Sequence, residues 1–136
     1  MKRTALASIL SVVVALAIAG CSSSSSGLTG KAWQWISGTE AGTPMPGVVP
    51  NPENYTATFN TDGTISVKAD CNNSQGAYKT SNSSLTITLG ATTQAMCPPG
   101  SLSTLFLAAL PKASTYAISS NSLLITLSDG GTMTFN

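Results

Sequence analysis

Between Tyr55 and Ala69 apolar and polar residues alternate with a period of two, and the alternation is broken once, by Asp62-Gly63. Tyr55, Ala57 and Phe59 precede the break, and Ile65, Val67 and Ala69 follow it. In a strand, successive side chains point to opposite faces, so this pattern describes two half-buried strands rather than a helix. Asp-Gly between alternating runs is a hairpin signal, because the turn needs a positive φ that glycine reaches without a Cβ clash. The same arrangement recurs near the carboxyl end, where Leu123, Ile125 and Leu127 meet Met133 and Phe135 across Asp129-Gly130-Gly131. Leu85, Ile87 and Leu89 predict a further strand. Trp33 and Trp35, two apart and on one face, predict another whose indoles fill the core.

One segment departs from this period. Leu102, Leu105, Phe106, Ala109 and Leu110 fall at the spacing of an apolar helix face. Ser101 is positioned to accept an orphan N–H at its start, and Pro111 is expected to end it by forcing Leu110 out of α geometry. A helix this short is marginal alone, so it should lie against the sheet and share its core. From Ser37 to Asn54 there is little periodicity, and Pro44, Pro46, Pro50 and Pro52 argue against a central strand. This stretch reads as a long surface loop.

The 136 residues suffice for one such domain. Only 8% are charged, well below the roughly 25% of an average soluble protein. The amino end explains part of this profile. Met1-Lys2-Arg3 is a short basic start, and Ala5 to Ala19 is apolar apart from two serines, the layout of a secretory signal. The run is shorter than the about 20 apolar residues of a membrane-spanning helix. Ile18-Ala19-Gly20-Cys21 resembles the lipobox of bacterial lipoproteins, and Ser22 through Ser26 follow as a featureless polar run. The expected organisation is a signal peptide over 1–20, a lipid-bearing serine tether over 21–27, and one folded domain over 28–136. The resemblance implies a diacylglycerol thioether on Cys21 and a fatty acyl chain such as palmitate on its amine. Two or more chains hold a protein on a membrane stably. The expected location is therefore the extracytoplasmic side of the cell envelope. In a host with two membranes, Ser22 resembles the outer-membrane sorting pattern, which gives the periplasmic face of that membrane.

With Cys21 committed to lipid, Cys71 and Cys97 remain, and an exported pair is expected to form a disulfide. A metal site is the alternative, but there is no histidine and no C-x-x-C spacing. Four lysines scattered beyond the signal, with no arginine among them, form no stripe for a phosphate backbone, so nucleic acid is not an expected partner. General acid–base chemistry is equally hard to assemble from five isolated acids. Asp62 and Asp129 are accounted for as turn residues. Asp70, beside Cys71 and Asn72, reads first as a strand-end acceptor for loop amides. Abundant serines without a base are not nucleophiles.

Taken together, Asp70-Cys71-Asn72-Asn73-Ser74-Gln75-Gly76-Ala77-Tyr78, then Thr92-Thr93-Gln94-Ala95-Met96-Cys97, the helix, and the closing strands to Phe135 resemble the META domain of the HslJ-like heat-inducible proteins. Cys71, Asn72, Gly76 and Tyr78 match the family's first motif, and Thr93 and Cys97 match its second. Asp70 stands where many members have glycine. The resemblance implies a mainly β fold: a curved antiparallel sheet or half barrel of about seven to eight strands with one helix in its concavity. It brings associations with heat response, drug resistance and virulence, but no reaction, cofactor or catalytic residue. The expected function is a non-catalytic envelope module that binds an envelope protein, with Ser37–Asn54 and Cys71–Tyr78 as candidate contact loops. An inhibitor of an envelope hydrolase and a binder of a small apolar ligand are the alternatives. Asn72 and Gly76 are expected to recur because both accept turn conformations.

Overall fold

The computed structural model describes residues 27–42 and 44–136. The expected signal peptide, the lipid-bearing Cys21 and Ser22 to Ser26 lie outside the described residues. Eight antiparallel strands follow one another in sequence order: β1 (Ala32–Thr39), β2 (Tyr55–Phe59), β3 (Thr64–Ala69), β4 (Asn72–Ser81), β5 (Ser84–Thr92), β6 (Ala113–Ser119), β7 (Ser122–Leu127) and β8 (Thr132–Phe135). One helix, α1 (Ser103–Ala109), falls between β5 and β6. The expected curved sheet with a helix is present, and it closes on itself as a barrel because β8 returns to pair with β1, Trp35 opposite Phe135 and Thr39 opposite Thr132. Closure satisfies both edges of the meander, which would otherwise be templates for further strand pairing.

Both Asp-Gly signals produce hairpins of one construction. Gly63 N–H donates to Asn60 O and Gly130 N–H to Leu127 O, with φ of 85° and 89° at the two glycines. The aspartate of each turn accepts the N–H two residues on, Thr64 at 2.9 Å and Gly131 at 3.0 Å. The Thr64 hydroxyl and then its N–H hold the Asp62 carboxyl below its ordinary value. A group depressed in the fold contributes stability above its unfolded pKa and loses it as pH falls through the folded one. The stability gap between the wild type and Asp62→Ala should therefore narrow in acid, below the ordinary carboxylate range. Thermal melts of the two proteins across pH 2–7 would check this, and a gap independent of pH would contradict it.

Three tighter connections have only two residues each, with Asp70, Asn82 and Ser120 at φ 54–57°. The turns at 60–63, 82–83 and 120–121 lie at one end of the barrel. The chain also enters there: Thr29 bridges Phe59, Trp33 Nε1 donates to Leu28 O, and Lys31 Nζ donates to Asn121 O. This is the entry end. The opposite end carries the 40–54 loop, the Asp70-Cys71 turn, the 93–102 segment and α1.

The interior is filled by side chains. Trp33, Trp35, Phe59, Phe106 and Phe135 are all fully buried. Phe106 of α1 reaches inward to stack on Trp35 with ring centroids 5.2 Å apart, while Tyr55 meets it edge-on. Leu102 N–H donates to the Tyr55 hydroxyl, seating the helix as a plug. Both indole N–H groups find carbonyls, Leu28 for Trp33 and Ser37 for Trp35, as buried donors require.

Three expectations about these elements are corrected. Ser101 Oγ does accept the Ser103 N–H, at 3.2 Å, but it sits one residue before the cap position, which Leu102 occupies. Pro111 does not push Leu110 out of α geometry, since Leu110 has φ −53° and ψ −43°. The chain tightens there into a 3-10 turn over Leu110–Lys112, whose first positions tolerate a residue without N–H. The expected surface loop from Ser37 to Asn54 starts only after Thr39, where β1 ends, and the 40–54 segment is less superficial than its composition suggests. Met45 and Val49 are buried. Gly38 N–H donates to Pro46 O and Val49 N–H to Ile36 O, fastening the loop along β1.

Candidate functional site

The two-residue turn Asp70-Cys71 brings β4 back beside β3 and points the first side chain of β4, Asn72, into the disulfide end of the barrel. Asn72 is 7% exposed and spends both ends of its amide. Its Oδ1 accepts the Ala95 N–H at 2.7 Å and the Thr93 hydroxyl at 3.1 Å. Its Nδ2 donates to Ala95 O at 3.0 Å and Ser103 Oγ at 3.3 Å, with Cys97 Sγ at 3.3 Å. One buried amide thus holds the irregular segment after β5 and the first residue of α1. Thr93 completes the clamp, its Oγ1 accepting the Asn73 N–H at 2.9 Å. The Cys71–Cys97 disulfide, with Cα atoms 5.4 Å apart, closes the same junction covalently.

The other two motif residues stand apart from this cluster. Gly76 lies in mid-strand β4, where a Cβ would meet Thr88 O of β5 at 2.1 Å and Leu89 Cα at 2.9 Å. The β4 register shifts between Ser74 and Gly76, a local bulge. Tyr78 lies two residues on, its hydroxyl donating to Asn60 O at 2.7 Å and its ring edge-on to Phe59. Burial, and then the charge of Asp62, push the Tyr78 hydroxyl above its ordinary pKa.

These positions correct the turn explanation for Asn72 and Gly76. Of the expected Cys71–Tyr78 loop, only Cys71 lies in a turn, while Asn72 to Tyr78 belong to strand β4, and neither Asn72 nor Gly76 has a positive φ. That conformation falls to Asp70, at φ 57°, a backbone state that glycine reaches without a Cβ clash. Asn72 is required for its amide, and Gly76 for the absence of a side chain. The inward residues Asn72, Ser74 and Gly76 are polar or small, so the apolar alternation that marks a strand is missing from β4. Of the residues the resemblance singled out, Cys71, Asn72, Thr93 and Cys97 meet at this junction, while Gly76 and Tyr78 lie further along β4.

Removing the Asn72 amide leaves the Ala95 N–H and C=O, the Thr93 hydroxyl and the Ser103 hydroxyl without their partner. Leaving a buried group unsatisfied costs about 1–3 kcal/mol. The cluster retains some access to water, so Asn72→Ala should lower unfolding free energy by about 2–3 kcal/mol. Urea titration with the disulfide intact measures it, and a loss within about 0.5 kcal/mol, the range of an ordinary surface substitution, would refute the clamp.

The rim of this end is open. A cleft of about 400 Å³ runs between the end of β5 and α1, lined by Asn72, Thr92, Thr93, Ala95, Ser103 and Leu107 among others. The Asn72 amide and the Thr92, Thr93 and Ser103 hydroxyls in it are engaged in hydrogen bonds, and none of the lining residues is a titratable acid or base. Among the described residues no group of three His, Cys, Asp or Glu could hold a metal. Two large apolar side chains project from the same end into solvent, Val48 at 78% and Met96 at 98% exposure.

The META domain matches residues 26–136 of the chain. Solved structures similar to the chain include two from bacteria. One is the NMR structure of a protein from Burkholderia xenovorans, with a TM-score of 0.65 and 22% identity over 94% of this chain and 97% of that one. The other is the crystal structure of a DUF4847 family protein from Bacteroides vulgatus, with a TM-score of 0.57 and 15% identity over 79% of this chain and 92% of that one. At these identities the likeness concerns the fold. A comparison with curated proteins finds no match.

Proposed function

The chain belongs to the META domain family, and from that premise we propose that it is a non-catalytic, lipid-anchored binding module of the cell envelope, with the disulfide end of the barrel as its contact face. The observation that carries this reading is the polarity of the molecule. Gly27 enters at the end bearing the 60–63, 82–83 and 120–121 turns, whereas Met96, Val48, the disulfide and the clamp lie at the other. A lipid on Cys21 would leave only the short run to Gly27 as tether, a reach of about 20 Å at full extension. The entry end then faces the membrane and the disulfide end faces outward.

The inventory of side chains favours binding over catalysis. There is no histidine in the chain, and the buried polar residues serve as internal hydrogen-bonding groups. Packing also weighs against a small apolar ligand inside the sheet, because Phe106 and the indoles occupy that space. The family's heat-inducible members suggest envelope maintenance under stress as the setting.

Photoreactive side chains placed at Val48 and Met96, and separately at Asn82 and Asn121, in the lipidated protein in its own cells would test the orientation. Protein adducts are expected from the first pair and not from the second. Protein adducts from Asn82 and Asn121 alone would overturn it. Mass spectrometry of the same material should find lipid on Cys21, and recovery of the intact protein free of membrane would remove the anchor.

A further inference from the structure

We infer that Met96 is the anchor of an inhibitory loop that enters the substrate cleft of an endopeptidase whose primary pocket takes a long apolar side chain. This rests on the binding-module reading and names the partner of its contact face. An exposed methionine on a mobile loop would carry no such meaning, but here the backbone is fixed on both sides of the exposed side chain. Ala95 is held through its N–H and its C=O, both by Asn72. Cys97 is held by the disulfide to Cys71. Between them Met96 is 98% exposed, and Pro98-Pro99 stiffens the chain beyond.

The backbone follows the same logic. Peptidases bind an inhibitor segment through main-chain hydrogen bonds and one side chain in a pocket, as other extended-peptide sites do. Ala95 turns its polar groups inward to Asn72. Among the described residues, neither Gln94 nor Met96 makes a backbone hydrogen bond, so their groups are available to a partner. A fixed segment loses little conformational entropy on binding, which is how rigid loops gain affinity. A glycan-cleaving enzyme fits less well, since nothing in an apolar thioether mimics a sugar.

The position of the disulfide explains why such a loop would inhibit rather than be consumed. Hydrolysis of the Met96–Cys97 bond adds one water, giving a carboxylate on Met96 and an amine on Cys97. That bond lies inside the Cys71–Cys97 loop, so both fragments stay covalently joined and Asn72 still holds Ala95. The new ends remain together in the cleft, and the reverse step, which expels the water, is intramolecular.

The test uses the full lipidated chain in detergent micelles against three purified peptidases: subtilisin and chymotrypsin, with apolar primary pockets, and trypsin, whose pocket is acidic. The wild type should inhibit at least one of the first two competitively and leave trypsin untouched. Met96→Asp should weaken that inhibition by about thirtyfold or more, the size expected for an anchor residue. Met96→Lys should transfer inhibition to trypsin. Because the side chain is solvent-exposed, both variants should melt as the wild type does. Any cut should fall after Met96 and separate the fragments only on reduction. Rapid degradation, inhibition indifferent to residue 96, or no inhibition of either apolar-pocket enzyme would overturn the inference. Protein adducts from the disulfide end that persist in Met96→Asp would preserve the contact face while removing the peptidase.

Discussion

Gly76→Ala is expected to abolish cooperative folding or to lower stability by about 4 kcal/mol or more, among the largest effects of any single methyl group. Most overpacked sites cost about 1–3 kcal/mol, because side chains rotate aside. Here the obstruction is backbone: the new Cβ would stand 2.1 Å from Thr88 O and 2.9 Å from Leu89 Cα. No rotamer change clears a carbonyl, so β4 must separate from β5. That pair carries the register from Ser74 opposite Thr92 to Ser81 opposite Ser84. The neighbouring seam cannot compensate, since β5 and β6 share one Cα pairing, Ser84 with Thr115. Gly47→Ala is the control, because nothing lies within 4 Å of the added atom. Urea unfolding followed by near- and far-ultraviolet circular dichroism would compare the two. A Gly76→Ala protein that unfolds within about 1 kcal/mol of the wild type, the size of a typical point mutation, would show that the β4–β5 spacing described here is wrong.

Loss of the disulfide should have the next largest effect. Cys71 and Cys97 are 26 positions apart, for which the chain-entropy argument gives about 3.5 kcal/mol. The double substitution Cys71→Ser with Cys97→Ser should lower unfolding free energy by about that amount. The covalent link and the Asn72 clamp hold the same segment. Combining the double substitution with Asn72→Ala should therefore be non-additive, with an interaction energy above about 0.5 kcal/mol. Thiol labelling of the native protein without reductant should miss both cysteines, and detection of two free thiols would end this account. If the double-serine protein is as stable as the wild type, the irregular segment after β5 is held by noncovalent contacts alone.

The elements differ in how plainly the chain announces them, and the difference has a physical cause. β2, β3, β5 and β7 place apolar side chains inward at every second residue, and their period is visible in one dimension. β6 is harder to recognise because Tyr116 and Ile118 are only half-buried beside the weakly paired β5 seam, and a bulge between Ala113 and Thr115 interrupts its register. β4 is hidden for the opposite reason. Its inward positions near the disulfide end bind the clamp and admit β5 closely, so they are polar or small. The 40–54 segment misleads by composition, since its prolines interrupt strand pairing while Met45 and Val49 still enter the core.

What the residues determined by themselves were mostly local events, two Asp-Gly turns, the alternating strands and an apolar helix stripe, each set by neighbours a few positions apart. The cysteine pairing, 26 positions apart, followed instead from there being two cysteines left once Cys21 is set aside. Closure of the sheet, the filling of its interior by Phe106, the amide clamp and the vacancy demanded at Gly76 came only from tertiary structure. They depend on groups distant along the chain, Trp35 with Phe135, Asn72 with Ser103, Gly76 with Thr88, whose separations acquire meaning once the strands lie side by side. A Cβ at position 76 offends nothing until a carbonyl from another strand occupies its place.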